Sequence, residues 1–188
     1  MKPWLLALTA CAALSGCAGA LVAGAVGGAV MANDERSIKT QIDDTNADLK
    51  IATAFADDAE LKQQANITAV VVNGNVLLIG QAPSSMLRDK AVQVVQRLQL
   101  GGKIHNQIRI GNPTSFTTRS NDTWITTKVK GRMLGEKELD ITRIKVVTEN
   151  GEVFLLGLIA RSQADLAVDV ARNTAGVRKV IKVFEYIE

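Results

Sequence analysis

Hydrophobic periodicity changes several times along this 188-residue chain, and one succession of periods occurs twice. Apolar residues dominate between Trp4 and Leu14, and no charged residue stands from Pro3 through Asn33. Further on, Ala47, Ile51 and Phe55 recur every four residues, as do Ile125, Val129 and Met133. That spacing puts each trio on one face of a helix. Strand-like apolar runs then flank Asn73-Gly74 and Asn150-Gly151. An Asn-Gly pair between such runs predicts a β-hairpin with a type I′ turn, because both residues tolerate positive φ. Gly80 and Gly157 are expected to end the second strands. A second helix is predicted from near Ser85 and near Ser162, with Ala91 and Val95, then Ala167 and Ala171, on its buried face. Ser162 and Asp165 resemble a capping box. A last strand is expected at 104–110 and at 180–187.

The two successions align residue by residue. Residues 67–80 match 144–157, Asp44-Thr45 matches Asp122-Thr123, and Leu61 matches Leu139. Each copy therefore reads helix, strand, strand, helix, strand: an α+β unit with two helices packed on a three-stranded sheet. The expected boundaries are 43–111 and 122–188, with 112–121 as linker and 33–43 as polar lead-in.

Composition narrows the classes. The chain is 47% hydrophobic, enough for a packed core, and carries a net charge of +3. So mild a charge gives no reason to expect nucleic acid as a partner. One histidine, His105, cannot build a zinc site needing several imidazoles. The two cysteines are Cys11 and Cys17. Leu14-Ser15-Gly16-Cys17 resembles a bacterial lipoprotein signal: a small residue before a cysteine whose thiol takes a diacylglycerol. On that reading residues 1–16 are removed, Cys17 is the lipid attachment site, and 17–42 form a lipidated tether. Two other readings are an uncleaved membrane helix and an ordinary secretory signal. Gly16, Gly19, Gly24, Gly27 and Gly28 weigh against the helix; in an uncleaved span they would suit helix pairing instead. Ala18 after the cysteine, where an aspartate would signal inner-membrane retention, resembles outer-membrane sorting.

The repeated units also resemble a known family. Asp122, Ile125, Val129 and Met133, then residues 149–157, then Gly176-Val177-Arg178-Lys179-Val180, resemble the opening, hairpin and close of a BON domain. The first copy is more divergent, with Gly101-Gly102-Lys103-Ile104 near its close. A lipoprotein signal followed by two such units resembles the dual-BON outer-membrane lipoproteins, including the run from Asn121 to Val129. The resemblance implies an αββαβ fold, no catalysis and no cofactor. It also implies phospholipid binding, a role in outer-membrane integrity, and association with the division site and with envelope stress.

Trp124 is the residue to which binding is assigned. It lies about a hundred degrees off the Ile125–Val129–Met133 face, with Lys128, Gly131 and Leu134 along its own side and Lys130, Arg132 and Lys137 around it. Tryptophan favours the headgroup level of a bilayer, and cations beside it attract anionic lipid. The expected lipid-binding residues are Trp124, Lys128, Lys130, Gly131 and Leu134, and the expected partner is a membrane rich in phosphatidylglycerol or cardiolipin. Asn46, the counterpart of Trp124, stands among Asp43, Asp44 and Asp48, so the first copy should be repelled by such lipid. The alternative is that Trp124 packs against the first copy or against Phe116. Asp43-Asp44 and Asp57-Asp58 are read as helix starts and solvated surface rather than metal or acid–base pairs. The competing function is an adaptor for an envelope protein partner, recruited by strand addition at a sheet edge. No catalytic or metal-binding residues are assigned.

Overall fold

The computed structural model describes residues 38–187, all within one unit spanning 35–188. Cys17 and the signal lie outside the described residues.

The first module runs α1 (Ile38–Asp57), α2 (Ala59–Gln64), β1 (Asn66–Val72), β2 (Asn75–Ala82), α3 (Ser85–Arg97) and β3 (Ile104–Ile110). The second runs α4 (Phe116–Leu134), a 3-10 turn (Ile141–Arg143), β4 (Lys145–Glu149), β5 (Glu152–Ile159), α5 (Arg161–Arg172) and β6 (Lys179–Tyr186). Both sheets have three strands, with the second of each module in the centre. The centre strand pairs antiparallel with its hairpin partner and parallel with the strand returning after the crossover helix.

The αββαβ order is as expected, but several boundaries differ. The polar lead-in is helical from Ile38, and α1 ends where Asp58 caps α2 by accepting the Glu60 and Leu61 N–H groups at 3.1 Å each. The second half of the expected linker is also helix. Ser115 caps α4 by accepting the Thr118 N–H at 3.1 Å, so the helix starts at Phe116. Ser162 caps nothing: α5 begins at Arg161, and an extended Ala160 carries β5 straight into it. Gly80 and Gly157 lie inside their strands rather than at the ends. Both have positive φ, and a Cβ on either would stand 2.0 Å from a backbone carbonyl oxygen, of Asn66 or Arg143. The Asn-Gly turns form as expected, with positive φ at Asn73, Gly74, Asn150 and Gly151.

Packing explains the apolar runs. In β2, Val76, Leu78 and Ala82 point to the helices with Ile51, Leu87, Ala91 and Val95. In β5, Val153, Leu155 and Ile159 point to Ile125, Val129, Met133 and Ala167. The other faces of the two sheets meet each other: Val70, Val72, Leu77 and Ile79 pack with Phe154 and Leu156 in a third core. A central strand covered on both sides reads as a continuous apolar run rather than an alternation, as Val76-Leu77-Leu78-Ile79 does. The two modules are thus joined as helices, sheet, sheet, helices.

Polar contacts rim this seam. Asn73 Nδ2 donates to Glu185 at 2.6 Å, Arg109 donates to both carboxylate oxygens of Glu152 at 2.8 and 3.1 Å, and Lys145 pairs with Asp48 at 3.5 Å.

Candidate functional site: the outer face of helix α4

Helix α4 is fixed from below by its apolar trio and by one acid. Ile125, Val129 and Met133 are fully buried. Asp122, 4% exposed, accepts the N–H groups of Asn150 and Gly151 at 2.7 Å each. It thereby ties the helix to the hairpin turn. The first module repeats the device: Asp44, 8% exposed, accepts from Asn73 at 2.7 Å and Gly74 at 2.8 Å. Asp44 is therefore not solvated surface. Asp48 is used internally too, accepting the Val71 N–H at 2.7 Å. The acidity expected to repel lipid from the first module is thus partly consumed within it, and α1 exposes Ile42 and Leu49 instead. The match of Asp44-Thr45 with Asp122-Thr123 was the sequence signal for these clamps.

The outer face of α4 exposes three large apolar side chains. Trp124 is 59% exposed, Leu134 69% and Phe116 78%. Phe116, Ser120, Trp124, Thr127, Gly131 and Leu134 fall on the side facing away from the buried trio. An open groove of about 510 Å³ runs between the two aromatic rings over Arg119, Ser120, Thr123 and Thr127. Trp124 is not sealed against the first module; of the packing alternative, Phe116 does share its groove. Phe116 was placed in the linker by sequence reasoning; its helical turn depends on the Ser115 cap, which Thr117-Thr118 gave little reason to expect. At Gly131 an added Cβ would meet nothing within 4 Å, so packing does not require that glycine.

The cations divide into two groups. Lys128 Nζ lies 5.4 Å from the centre of the Trp124 ring and donates to the Ala175 carbonyl at 2.7 Å. Arg132 donates to the Asn173 carbonyl at 2.5 Å, and Arg119 to the Thr114 carbonyl at 2.5 Å. These three border the aromatic face while also bracing neighbouring loops. Lys130 points elsewhere: it lines a cleft of about 270 Å³ with Asp44, Asp48 and Lys145, between the modules. Six residues of helix separate it in phase from Trp124, about 240° of rotation, so the expected set is not one patch.

Among the described residues no group of three or more His, Cys, Asp and Glu side chains converges as metal ligands would. None of the described helices is long and apolar enough to cross a membrane. His105 lies on β3 beside Val72, Leu77 and Glu185 at the seam.

The BON domain pattern matches this chain twice, at residues 43–112 and 121–188. The chain belongs to the BON-domain family. Over all 188 residues it is 39% identical to the outer membrane lipoprotein DolP of Haemophilus influenzae, covering 97% of that protein. It is 44% identical over 155 residues to a 21 kDa hemolysin of Actinobacillus pleuropneumoniae, spanning 82% of this chain and 80% of that one. A more distant relative is the osmotically-inducible protein Y of Escherichia coli, 26% identical over 144 residues, or 74% of this chain and 70% of that one. With two domains and a match along its whole length, the chain is a dual-BON lipoprotein of the DolP type. Helix α4 opens BON domain 2, and its matched counterpart α1 opens BON domain 1. The N-terminal turns of α4, Phe116 included, precede the second match.

Proposed function

We propose that the protein is an outer-membrane-tethered, noncatalytic phospholipid-binding lipoprotein. It faces the periplasm from an acylated Cys17 and supports envelope integrity. It contacts anionic lipid, phosphatidylglycerol or cardiolipin, through helix α4 of BON domain 2. The observation that carries this reading is the exposed Trp124, standing with Leu134 on a helix face bordered by Lys128, Arg119 and Arg132. An indole at headgroup level buries its ring and keeps its N–H hydrated. Each cation near an anionic surface adds about 1 kcal/mol. The tether permits the approach: 20 residues separate Cys17 from Ile38, a reach of up to about 66 Å when extended.

The test is co-sedimentation of the non-acylated protein, starting at Ala18, with phosphatidylglycerol vesicles. Wild-type protein is expected to pellet, and less so at high salt. Trp124→Ala is expected to stay in solution with unchanged circular dichroism. A Trp124→Ala protein that pellets like wild type rejects this mode of contact.

The adaptor reading is favoured by a separate feature, the exposed Ile42 and Leu49 on α1 of BON domain 1. An envelope protein captured by wild type and by Trp124→Ala, but lost on Leu49→Glu, would support it.

A further inference from the structure

The duplication lets the seam be read position against position, and one pair breaks the match. Val72 and Glu149 are counterparts, each directly before an Asn-Gly turn, and Gln81 is the counterpart of Leu158. Val72 is buried in the apolar seam. Where BON domain 1 has that valine, BON domain 2 has the half-buried carboxylate of Glu149. BON domain 1 meets it with Gln81, 5% exposed, whose Nε2 donates to Glu149 Oε1 at 2.5 Å. The amide is oriented from behind, since its Oε1 accepts the Thr114 N–H at 3.0 Å and Asn66 Nδ2 at 3.4 Å. A polar contact that crosses from one domain to the other thus stands at Glu149, where BON domain 1 has the buried Val72.

We propose that Glu149 is a proton-sensitive element of the seam, so that the paired domains become more stable as the surroundings acidify. Burial lifts the Glu149 carboxyl above its ordinary range, and the Asp122 carboxylate on α4 adds to the lift; the Gln81 hydrogen bond and Arg119 oppose it. Two other charges near the hairpin end are already engaged, while Lys179 stands in register with Glu152 on β6. Glu152, opposite Glu149 in the register, is held by Arg109, and Arg178 donates to the Asn150 carbonyl. A carboxyl whose folded pKa lies above its unfolded value destabilises the folded state while ionised. That penalty is present above the folded pKa and vanishes as pH falls toward the unfolded value, 4.5 for this group. The sensitive window therefore opens at 4.5 and extends upward from it. The inference does not depend on lipid binding by α4.

The test uses the full lipid-anchored protein in detergent micelles. Thermal unfolding of wild type, Glu149→Gln and Gln81→Leu is followed between about pH 4.5 and 7.5, with the Glu149 carboxyl titrated by carbon-13 NMR in wild type and Gln81→Leu. Glu149→Gln is expected to melt above wild type at the neutral end and to converge with it at the acid end. Gln81→Leu is expected to move the Glu149 titration to still higher pH, because it removes the opposing donor. A gap between wild type and Glu149→Gln that stays constant with pH overturns the proposal. So does a Glu149 carboxyl titrating at or below its ordinary value, or one that Gln81→Leu leaves unmoved. The wild-type titration decides the matter even if a variant fails to fold.

Discussion

Asp44 and Asp122 show how one side chain can fix the placement of a whole helix. Each carboxylate accepts two successive N–H groups at the tip of a hairpin. Those donors need a partner because a buried, unpaired N–H costs about 1–3 kcal/mol. Asp122→Ala is therefore expected to lower stability by about 2–4 kcal/mol, measured by chemical denaturation, and to broaden the amide signals of Asn150 and Gly151. A loss below half a kilocalorie would show that water replaces the carboxylate. Sequence alone showed that these aspartates recur at matched positions, but not that they reach a turn some thirty residues away. The same limit applied to the cations. Helical phase set Trp124 outside the core face, yet it did not reveal that Lys128 and Arg132 brace the loop after α5, or that Lys130 turns toward BON domain 1.

At the scale of elements, apolar spacing and Asn-Gly turns located every strand and the core face of each long helix. The ends were harder, since polar residues are compatible with both linker and exposed helix. Thr117-Thr118-Arg119-Ser120 has linker composition but continues α4 once Ser115 caps it. Gly157 was assigned to a strand end on local grounds. Its reason is distant in sequence: the Arg143 carbonyl occupies the space a side chain would need. Gly157→Ala is accordingly expected to cost at least about 1–3 kcal/mol from conformation alone, with further loss from the clash, seen as a lowered melting temperature. An unchanged melting temperature would mean that β5 can shift away from Arg143.

Across the whole described fold, the two BON domains share one seam. The continuous apolar runs of β2 and β5 recorded this, because strands covered on a single face would alternate. They did not name the covering partner, and so the sandwich was not legible before the structure. Phe154 lies in that shared core, almost fully buried. Phe154→Ala is expected to cost about 3–5 kcal/mol, and both domains should still unfold together in wild type. Two separate wild-type transitions would contradict a shared core. The seam also gives α4 a rigid base, leaving Phe116, Trp124 and Leu134 exposed on its outer face.

The proposed contact of α4 with lipid can be read from the indole itself. The chain has two tryptophans, Trp4 and Trp124, so a protein starting at Ala18 keeps Trp124 as its one tryptophan, excited apart from Tyr186 at the red edge of the indole absorption. Its fluorescence is recorded in the non-acylated protein as vesicles are added. With phosphatidylglycerol or cardiolipin the emission is expected to shift to shorter wavelength and become shielded from aqueous quenchers; with phosphatidylcholine it is expected to stay unchanged. An emission that remains red-shifted and fully quenchable in saturating anionic vesicles would contradict insertion of α4 into the lipid surface.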